Sequence, residues 1–249
     1  GVIFHRVLNN VVIQGGYPTG TGSGGSTLGD FDDQFNVDLQ HNRTGLISMA
    51  KTSDDTNDSQ FFITEGPQRH LDFNHSIFGL VVEGESVRDA ISNTAANGSG
   101  VPTFTVTMQS VDVVADNENA VLMLKVPNGA TGSANVRVRV TDPNGNFSEQ
   151  TFLVNVQADT TSSNPFLDDI PLIRTLQNTP ISFTVHSTDA DSQVPVYLDQ
   201  TTLASNQLAV PYTTNPANLS YSVGFDSGLT TVTPVSTFVG TEQITIATG

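Results

Sequence analysis

The stretch Ser59 to Gly79, SQFFITEGPQRHLDFNHSIFG, decides the fold of the first part of the chain. It begins with a run of aromatic and β-branched residues that ends in Glu-Gly-Pro, a pattern typical of a strand closed by a turn. Because side chains alternate between the two faces of a strand, Gln60, Phe62 and Thr64 are predicted to share one face. That face places an amide beside an aromatic ring.

Upstream, the segment Phe4 to Gly16, FHRVLNNVVIQGG, shows a second strand pattern. Val11 to Gln14 is closed by two glycines, and Val12 and Gln14 are predicted to share a face. Taken alone, both patterns also fit ordinary strands of a β-barrel or β-sandwich that bury a glutamine, and the residues leave that alternative open.

Several blocks around these segments carry a resemblance. They are FHRV, VIQGG, PTGTGSGG, GLISMA, SQFFIT and HLDFNHSIFGLVVEG, in this order along the chain. In order and spacing they resemble the cyclophilin family of peptidyl-prolyl cis-trans isomerases, from Gly1 to about Val114. The resemblance implies a mainly β fold, a partial cyclophilin-like β-barrel with a short helix. Compared with the family, the opening strands and first helix are absent, so we expect a fragment lacking the N-terminal part of this domain.

The resemblance also implies an activity, which is rotation about X–Pro bonds. Resonance gives the amide a barrier of about 18–20 kcal/mol, and no covalent step or cofactor is needed to lower it. A catalyst must hold the proline in an apolar pocket and place a donor near the prolyl nitrogen, whose lone pair is released as conjugation breaks. An arginine suits this role because its guanidinium stays charged and offers five donors.

The resemblance assigns catalytic roles to four residues and substrate contacts to seven more. Arg6 matches the catalytic arginine, Gln14 the residue that orients it, Phe62 the pocket floor and His75 a wall. The substrate-binding residues are Val11, Val12, Ala50, Lys51, Gln60, His70 and Leu71. Two departures stand out: Val11 replaces a phenylalanine that lines the pocket, and Tyr17 replaces the acid after QGG. We expect the smaller Val11 side chain to weaken activity by the loss of an aromatic contact worth about 1 kcal/mol. Expected partners are proline-containing peptides, unfolded proteins and cyclosporin-like ligands.

Composition narrows the function classes further. The 249 residues predict two or three domains, and 25 acidic against 9 basic residues give a net charge of −16. This charge argues against nucleic acid or anionic lipid as a partner. The chain has no cysteine, which excludes disulfides and thiol chemistry, and no apolar run is long enough to span a bilayer.

The sequence argues against two other kinds of site. Gly15 to Gly25 is glycine-rich, but no helical pattern follows it, so a surface loop is favoured over a phosphate site. His70, Asp72 and His75 carry side chains that bind zinc, but their spacing matches no zinc signature and no metal is predicted.

Two further elements are predicted in the first part of the chain. Val82 to Ser92 is predicted to form a short packing helix, and Thr103 to Val114 a strand that closes the barrel.

After about Val114 the composition changes to an all-β pattern. The runs AVLMLKV, ANVRVRVTD and QTFLVNVQ have alternating polarity and are separated by turn signals, which predicts a sandwich of short strands. The region from Gly129 resembles the immunoglobulin-like or cadherin-like repeats of bacterial surface proteins. The predicted domains are therefore 1–115, an isomerase domain; 116–160, an immunoglobulin-like repeat; and 161–249, a second such repeat.

Two turns in these repeats carry oxygen ligands that suit calcium: Asp142 with Asn144 and Asn146, and Asp189 with Asp191. Such pieces are also common turn sequences, so calcium is a weak expectation. The whole pattern predicts an exported bacterial prolyl isomerase at the cell surface or outside the cell. The alternative is a structural or adhesion protein with a degenerate domain that only binds proline peptides.

Overall fold

The computed structural model describes residues 2–20, 25–117, 120–127, 129–191, 197–198, 218–224, 227–241, 244 and 246–248. They fall into two compact units, one of Gly1–Ala115 with Ser163–Gly249 and one of Asp116–Ser162. The division into three domains stays a prediction. The described residues are mainly β in secondary structure, as expected, and contain one short α-helix. Among the described residues, no helix has the length and hydropathy that crossing a membrane would require.

A six-stranded antiparallel sheet organises the first part of the chain. Its strands are β1 (Ile3–Leu8), β2 (Val12–Gly15), β3 (Leu46–Met49), β4 (Phe61–Thr64), β5 (Ile77–Leu80) and β6 (Val106–Thr107). They lie side by side in the order β5-β3-β4-β2-β1-β6. A single 3-10 turn, Arg69–Leu71, lies between β4 and β5.

The alternation of side chains along β2 and β4 builds one apolar cluster on each face of this sheet. Ile13 is fully buried and packs with Phe4 and Val7 on one face, where Phe61 and Ile63 cover it. Phe62 and Val12 pack with Ala50 on the other face. We call these the inner cluster and the pocket cluster.

A β-bulge interrupts the pairing of β1 with β2. The register of β1 on β2 shifts between Phe4, which pairs with Gly15, and Arg6, which pairs with Gln14. The extra residue lets Phe4 and Val7 both reach the inner cluster while Arg6 stays opposite Gln14.

The helix α1 (Glu85–Ser92) follows Gly84, whose φ of 82° belongs to the left-handed region. It begins three residues later than predicted because this turn separates it from Val82. Ile91 packs on the inner cluster, and Arg88 donates to Glu65 at 2.7 Å. The predicted packing helix is therefore present.

The predicted strand from Thr103 to Val114 is mostly wrong. Only β6 forms, and it pairs with β1 over two residues. Thr103 instead donates its backbone N–H to Ala95, and Val111 and Val113 are exposed. No pairing joins β5 to β6 among the described residues, so this sheet is open and the closed barrel is not confirmed.

The unit Asp116–Ser162 contains a two-stranded ribbon, β7 (Gly132–Thr141) paired with β8 (Phe147–Val156). Its ten register pairs match two of the three predicted runs. The third, Ala120 to Val126, forms no strand and its side chains are exposed. An alternating pattern forms a strand only where another strand pairs with it, and no sheet of the described residues includes this segment. Within the described residues this unit is a ribbon, not a sandwich.

The remaining strands are short: β9 (Phe166–Leu167), β10 (Ile181–Thr184), β11 (Ser187–Thr188), β12 (Tyr197–Leu198), β13 (Leu219–Val223), β14 (Leu229–Pro234) and β15 (Ala247–Thr248). β14 lies between β10 and β13, β9 pairs with β11, and β12 pairs with β15. Val185 and Val223 form a third buried cluster, which Leu167 helps to cover. Residues 192–196 and 199–217 of the predicted second repeat lie outside the described residues.

Candidate active site

Four neighbouring strands place the central side chains of the predicted site in one row. Arg6 on β1 is the register partner of Gln14 on β2, Gln14 pairs with Phe62 on β4, and Phe62 pairs with Ser48 on β3. Directly paired residues of antiparallel strands project from the same face. The row therefore runs from a cation, through an amide, to an aromatic ring.

The polar end of this row is a relay of hydrogen bonds. Arg6 Nη1 donates to Gln14 Oε1 at 3.2 Å, and Gln14 Nε2 donates to Gln60 Oε1 at 3.1 Å. Since a single amide donates on one side and accepts on the other, Gln14 fixes both neighbours. Gln14 thus contacts Arg6 directly, and its role in orienting Arg6 stays a prediction.

Gly16 brings the ends of β2 and β4 together. Its φ is 100°, and a Cβ there would lie 2.3 Å from the carbonyl oxygen of Ser59 and 2.9 Å from Cα of Gln60. Only glycine fits this close approach. Gly16 thus lets Gln60 come within reach of Gln14.

The apolar end of the row is the pocket cluster. Phe62, Val12 and Ala50 are buried there, and Leu8, Val11 and Leu71 pack against them at partial exposure. Five residues predicted to line a proline pocket or to hold the peptide therefore meet in one place. Val11 is among them, so the departure from the family pattern lies in the pocket wall itself.

His75 closes this pocket from a loop after the 3-10 turn. Its ring meets the ring of Phe62 edge to face, with centroids 5.3 Å apart, and its Nδ1 lies 2.9 Å from the carbonyl oxygen of Met49. Because a carbonyl only accepts, Nδ1 carries the hydrogen in this contact. Burial lowers the pKa of His75, although the hydrogen bond to Met49 opposes that shift. The imidazole is therefore neutral at neutral pH.

Behind Phe62 lies a buried polar triad that sequence reasoning missed. His41 is fully buried, and its Nδ1 lies 3.1 Å from Asp72 and its Nε2 2.8 Å from Ser48 Oγ. The His41 ring stacks on Phe62 at 5.9 Å between centroids. Local patterns do not reveal this triad, because Asp72 lies 31 positions after His41 and the three side chains meet only in the folded chain.

Asp72 carries the negative charge of this triad. Burial acts to raise its pKa, but hydrogen bonds from His41 and Arg69 outweigh burial and hold the pKa of Asp72 below its ordinary value. Asp72 therefore stays ionised while it holds His41 against Phe62. This use of Asp72 also differs from the zinc arrangement weighed for His70, Asp72 and His75.

For Lys51, as for Ala50, the resemblance implies a substrate contact through the backbone, and the Lys51 side chain has other partners. Its ammonium is buried, pairs with Asp33 and lies 3.2 Å from Asp54. Among the described residues, one cluster of three acidic side chains is close enough to share a cation, and it consists of Asp33, Asp54 and Asp55. The ammonium of Lys51 supplies a positive charge there. The side chain of Lys51 is therefore engaged within the protein.

Of the remaining predicted residues, His70 is exposed in the 3-10 turn. The backbone of the buried Ala50 donates its N–H to Gln60 at 2.9 Å. A cleft of about 360 Å³ opens beside Arg6, lined also by His5, Val101 and Phe104. Tyr17 meets the ring of His5 edge to face at 5.5 Å.

The two turns considered for calcium are held by their own hydrogen bonds. Asp142 Oδ1 accepts from the backbone N–H groups of Asn144 and Asn146, and Oδ2 accepts from the Asn146 side chain. Asp189 accepts from the backbone N–H of Asp191 at 2.8 Å. Both are Asx-type turns, and these bonds account for their geometry without a cation.

Comparison with known proteins adds an independent line. Residues 1–113 match the family described as cyclophilin type peptidyl-prolyl cis-trans isomerase/CLD. Peptidyl-prolyl cis-trans isomerase A of Mycobacterium tuberculosis (strain ATCC 25618 / H37Rv) is 46% identical over 115 residues, which cover 45% of this chain and 63% of that protein. Peptidyl-prolyl cis-trans isomerase CYP18-2 of Arabidopsis thaliana is 39% identical over 115 residues, which cover 45% of this chain and 70% of that protein.

Among solved structures, a Cryptosporidium parvum cyclophilin type peptidyl-prolyl cis-trans isomerase, crystallised in the presence of the dipeptide Ala-Pro, aligns with a TM-score of 0.44 at 33% identity. The alignment covers 46% of this chain and 75% of that one. The chain spans less than two thirds of the mycobacterial relative, at 63% of its length.

Proposed function

Since this chain belongs, through residues 1–113, to the cyclophilin-type peptidyl-prolyl cis-trans isomerase family, we propose that it accelerates rotation about X–Pro bonds in peptides and folding proteins. The observation that carries the proposal is the row from Arg6 through Gln14 to Phe62. A charged donor, held by an amide, lies on the same face as the aromatic floor of an apolar pocket.

The proposed mechanism uses only groups present in the chain. The proline ring enters the pocket cluster between Phe62, Leu71 and His75, where burial of its methylene groups favours binding by about 0.8 kcal/mol each. As the amide twists, conjugation breaks and the prolyl nitrogen gains a lone pair. Arg6 donates a hydrogen bond to that nitrogen, which stabilises the twisted state more than either planar state.

Gln14 and His75 support this step without exchanging protons. Gln14 holds the guanidinium of Arg6, so less conformational freedom is lost when the twisted amide forms. Burial lowers the pKa of His75 and keeps the ring neutral, while the hydrogen bond to Met49 fixes the ring in place. His75 therefore adds no second positive charge that would compete with Arg6. The reaction therefore needs no titrating group near neutral pH.

A prolyl-isomerisation assay on the chain and on Arg6→Ala tests this proposal. We expect kcat/KM to fall about 100-fold, the typical cost of removing one transition-state donor. Arg137→Ala is the matched control because Arg137 lies on the ribbon and is exposed. Unchanged activity in a folded Arg6→Ala protein would refute the assigned mechanism.

Val11 favours a second candidate function, that of a binding module for proline peptides with little catalysis. Val11 lies in the wall of the pocket cluster, and its small side chain leaves one aromatic contact unmade. Val11→Phe should raise kcat/KM about fivefold if the first candidate holds, since one aromatic contact is worth about 1 kcal/mol. Binding of a proline peptide without acceleration in either protein would select the binding module. The same pocket is proposed to accept cyclosporin-like ligands, which would then compete with the peptide.

We also propose that the rest of the chain consists of immunoglobulin-like or cadherin-like repeats and that the protein is exported, to the bacterial surface or the medium. The acidic, cysteine-free composition and the β-rich pattern after Val114 support this placement. Digestion of intact source cells by an external protease should remove the repeats. Protection equal to that of a cytosolic marker would contradict export.

A further inference from the structure

An aromatic cluster outside the pocket connects the candidate site to a distant part of the sequence. Phe166 lies against Phe35, with centroids 5.5 Å apart and an edge-to-face angle, and against Phe73, with centroids 5.1 Å apart. All three rings belong to the same compact unit, although more than ninety positions separate Phe73 from Phe166. We call Phe35, Phe73 and Phe166 the ring cluster.

Each partner of Phe166 adjoins a part of the candidate site. Phe73 is buried in the loop between Asp72, which holds His41, and His75, which walls the pocket. Its φ of 53° is unusual for a residue with a ring, so its surroundings must hold it there. Phe35 carries the ammonium of Lys51 over its ring at 5.8 Å.

Phe166 is itself firmly held. It belongs to β9, which pairs with β11 through Phe166↔Thr188 and Leu167↔Ser187. Since neighbouring strand residues point to opposite faces, Phe166 reaches the ring cluster while Leu167 enters the third buried cluster with Val185. The strand thereby joins two apolar clusters with adjacent side chains.

We propose that Phe166 is a positioning residue for the candidate site, which braces the loop from Asp72 to His75 by packing on Phe73. This inference rests on the proposed function for its effect on catalysis. Loss of the ring releases one side of Phe73, so its left-handed backbone conformation is no longer enforced. The loop then relaxes, and His75 loses its fixed place beside Phe62.

The test compares Phe166→Ala with two controls in the full chain. Leu167→Val changes the adjacent residue on the opposite face of β9, and Phe152→Ala removes a half-exposed ring from the ribbon. Phe166→Leu keeps much of the apolar volume and serves as the conservative variant if the alanine protein unfolds. The readouts are kcat/KM with its separation into kcat and KM, and the NMR signals of the 13C-labelled His75 ring.

We expect Phe166→Ala to lower kcat/KM about fivefold, in the range of mutations that couple distant elements. The His75 ring signals should shift or broaden, Phe166→Leu should recover part of both effects, and neither control should move the His75 signals. Wild-type His75 signals in folded Phe166→Ala or Phe166→Leu would overturn the proposal, and so would an equal change in Leu167→Val.

The two proposals can fail separately. If the wild-type chain does not accelerate isomerisation, the proposed function fails, and the His75 signals alone decide whether Phe166 braces the loop. If the wild type is active but Phe166→Ala keeps both its activity and its His75 signals, the brace fails and the proposed function stands.

Discussion

The sheet around the pocket cluster and the ribbon of β7 and β8 are built from similar alternating strands, yet they use them in opposite ways. On the sheet, both faces of β2 and β4 are covered, by the inner cluster and the pocket cluster. On the ribbon, ten register pairs form a longer ladder, but most of its side chains are exposed. Hydrogen-bonded length and buried area are therefore separate properties here.

Charged side chains are buried in the first region and exposed in the second. Asp72 and His41 are fully buried and meet each other directly, whereas Arg137 and Arg139 meet Glu149 on an open surface. Buried polar groups cost much free energy when they lose a partner, while exposed ion pairs contribute little. The buried charges near the pocket cluster therefore favour a single geometry, whereas the ribbon tolerates substitutions.

The largest expected difference in stability is between removing an aromatic ring from the pocket cluster and removing one from the ribbon. Phe62→Ala should lower the free energy of unfolding by about 4 kcal/mol, because it empties a buried site that His41 and His75 also contact. Phe152→Ala should cost less than about 1 kcal/mol, since that side chain is 40% exposed on the ribbon. Chemical denaturation of both variants measures the difference. Equal losses of stability would contradict the claim that the pocket cluster stabilises the protein more than the ribbon does.

Removing one charge from each region should give the next effect. Asp72→Asn leaves His41 and Arg69 without a buried anion and should destabilise the protein by about 3 kcal/mol. Glu149→Gln weakens only exposed pairs and should cost less than about 1 kcal/mol. The same denaturation experiment decides, and a small loss in Asp72→Asn would show that the buried triad is not needed for stability.

Two glycines with left-handed φ sharpen the contrast at the level of the backbone. Gly16→Ala should cost about 3 kcal/mol, because strain of about 1–2 kcal/mol adds to a clash with Ser59 and Gln60. Gly145→Ala in the ribbon turn has a φ of 86° but no atom within 4 Å of its Cβ, so it should cost only about 1 kcal/mol. If both variants unfold at the same midpoint, the close approach of Ser59 and Gln60 to Gly16 does not contribute to stability.

A smaller effect is expected from pH. Burial lowers the pKa of His75 below its ordinary value of 6.5, so between that value and the folded one the unfolded chain binds a proton that the folded chain does not. The free energy of unfolding should therefore fall as pH drops below about 6.5, and His75→Gln should flatten this slope. Burial and the neighbouring Arg6 lower the pKa of His5 too, so some slope should remain. An unchanged slope in His75→Gln would contradict this account of the pocket.

Calcium should produce the smallest effect. Asp142 already accepts hydrogen bonds from its own loop, so millimolar calcium should move the thermal midpoint of unfolding by less than about 1 °C. A clear rise in the midpoint would show that the protein has a calcium site. An equal rise in Asp142→Asn would place that site elsewhere.

Local periodicity was enough to predict the strands and faces of the pocket. The shared face of Gln60, Phe62 and Thr64, and that of Val12 and Gln14, follow from alternation alone and match the register of β2 on β4. The role of Arg6 came from the resemblance, because the bulge that sets it opposite Gln14 has no local signal.

Other features depend on contacts between distant residues and could not be predicted from local patterns. His41 joins Ser48 and Asp72 only through the fold, and Lys51 turns toward Asp33 because carboxylates surround its ammonium. Ala120 to Val126 has the pattern of a strand but pairs with no strand among the described residues. An alternating pattern shows that a segment can form a strand, but a strand forms only where another strand pairs with it.

The most direct test of the proposed prolyl isomerisation by Arg6 is NMR exchange spectroscopy on a peptide that contains one Ala-Pro bond. Without a catalyst the cis and trans forms exchange in roughly 10–100 s, too slowly for cross peaks at a mixing time of a second. We predict exchange cross peaks when wild-type chain is added in substoichiometric amount, and their loss with Arg6→Ala at the same concentration. No cross peaks with folded wild type, or equal cross peaks with both proteins, would contradict the account.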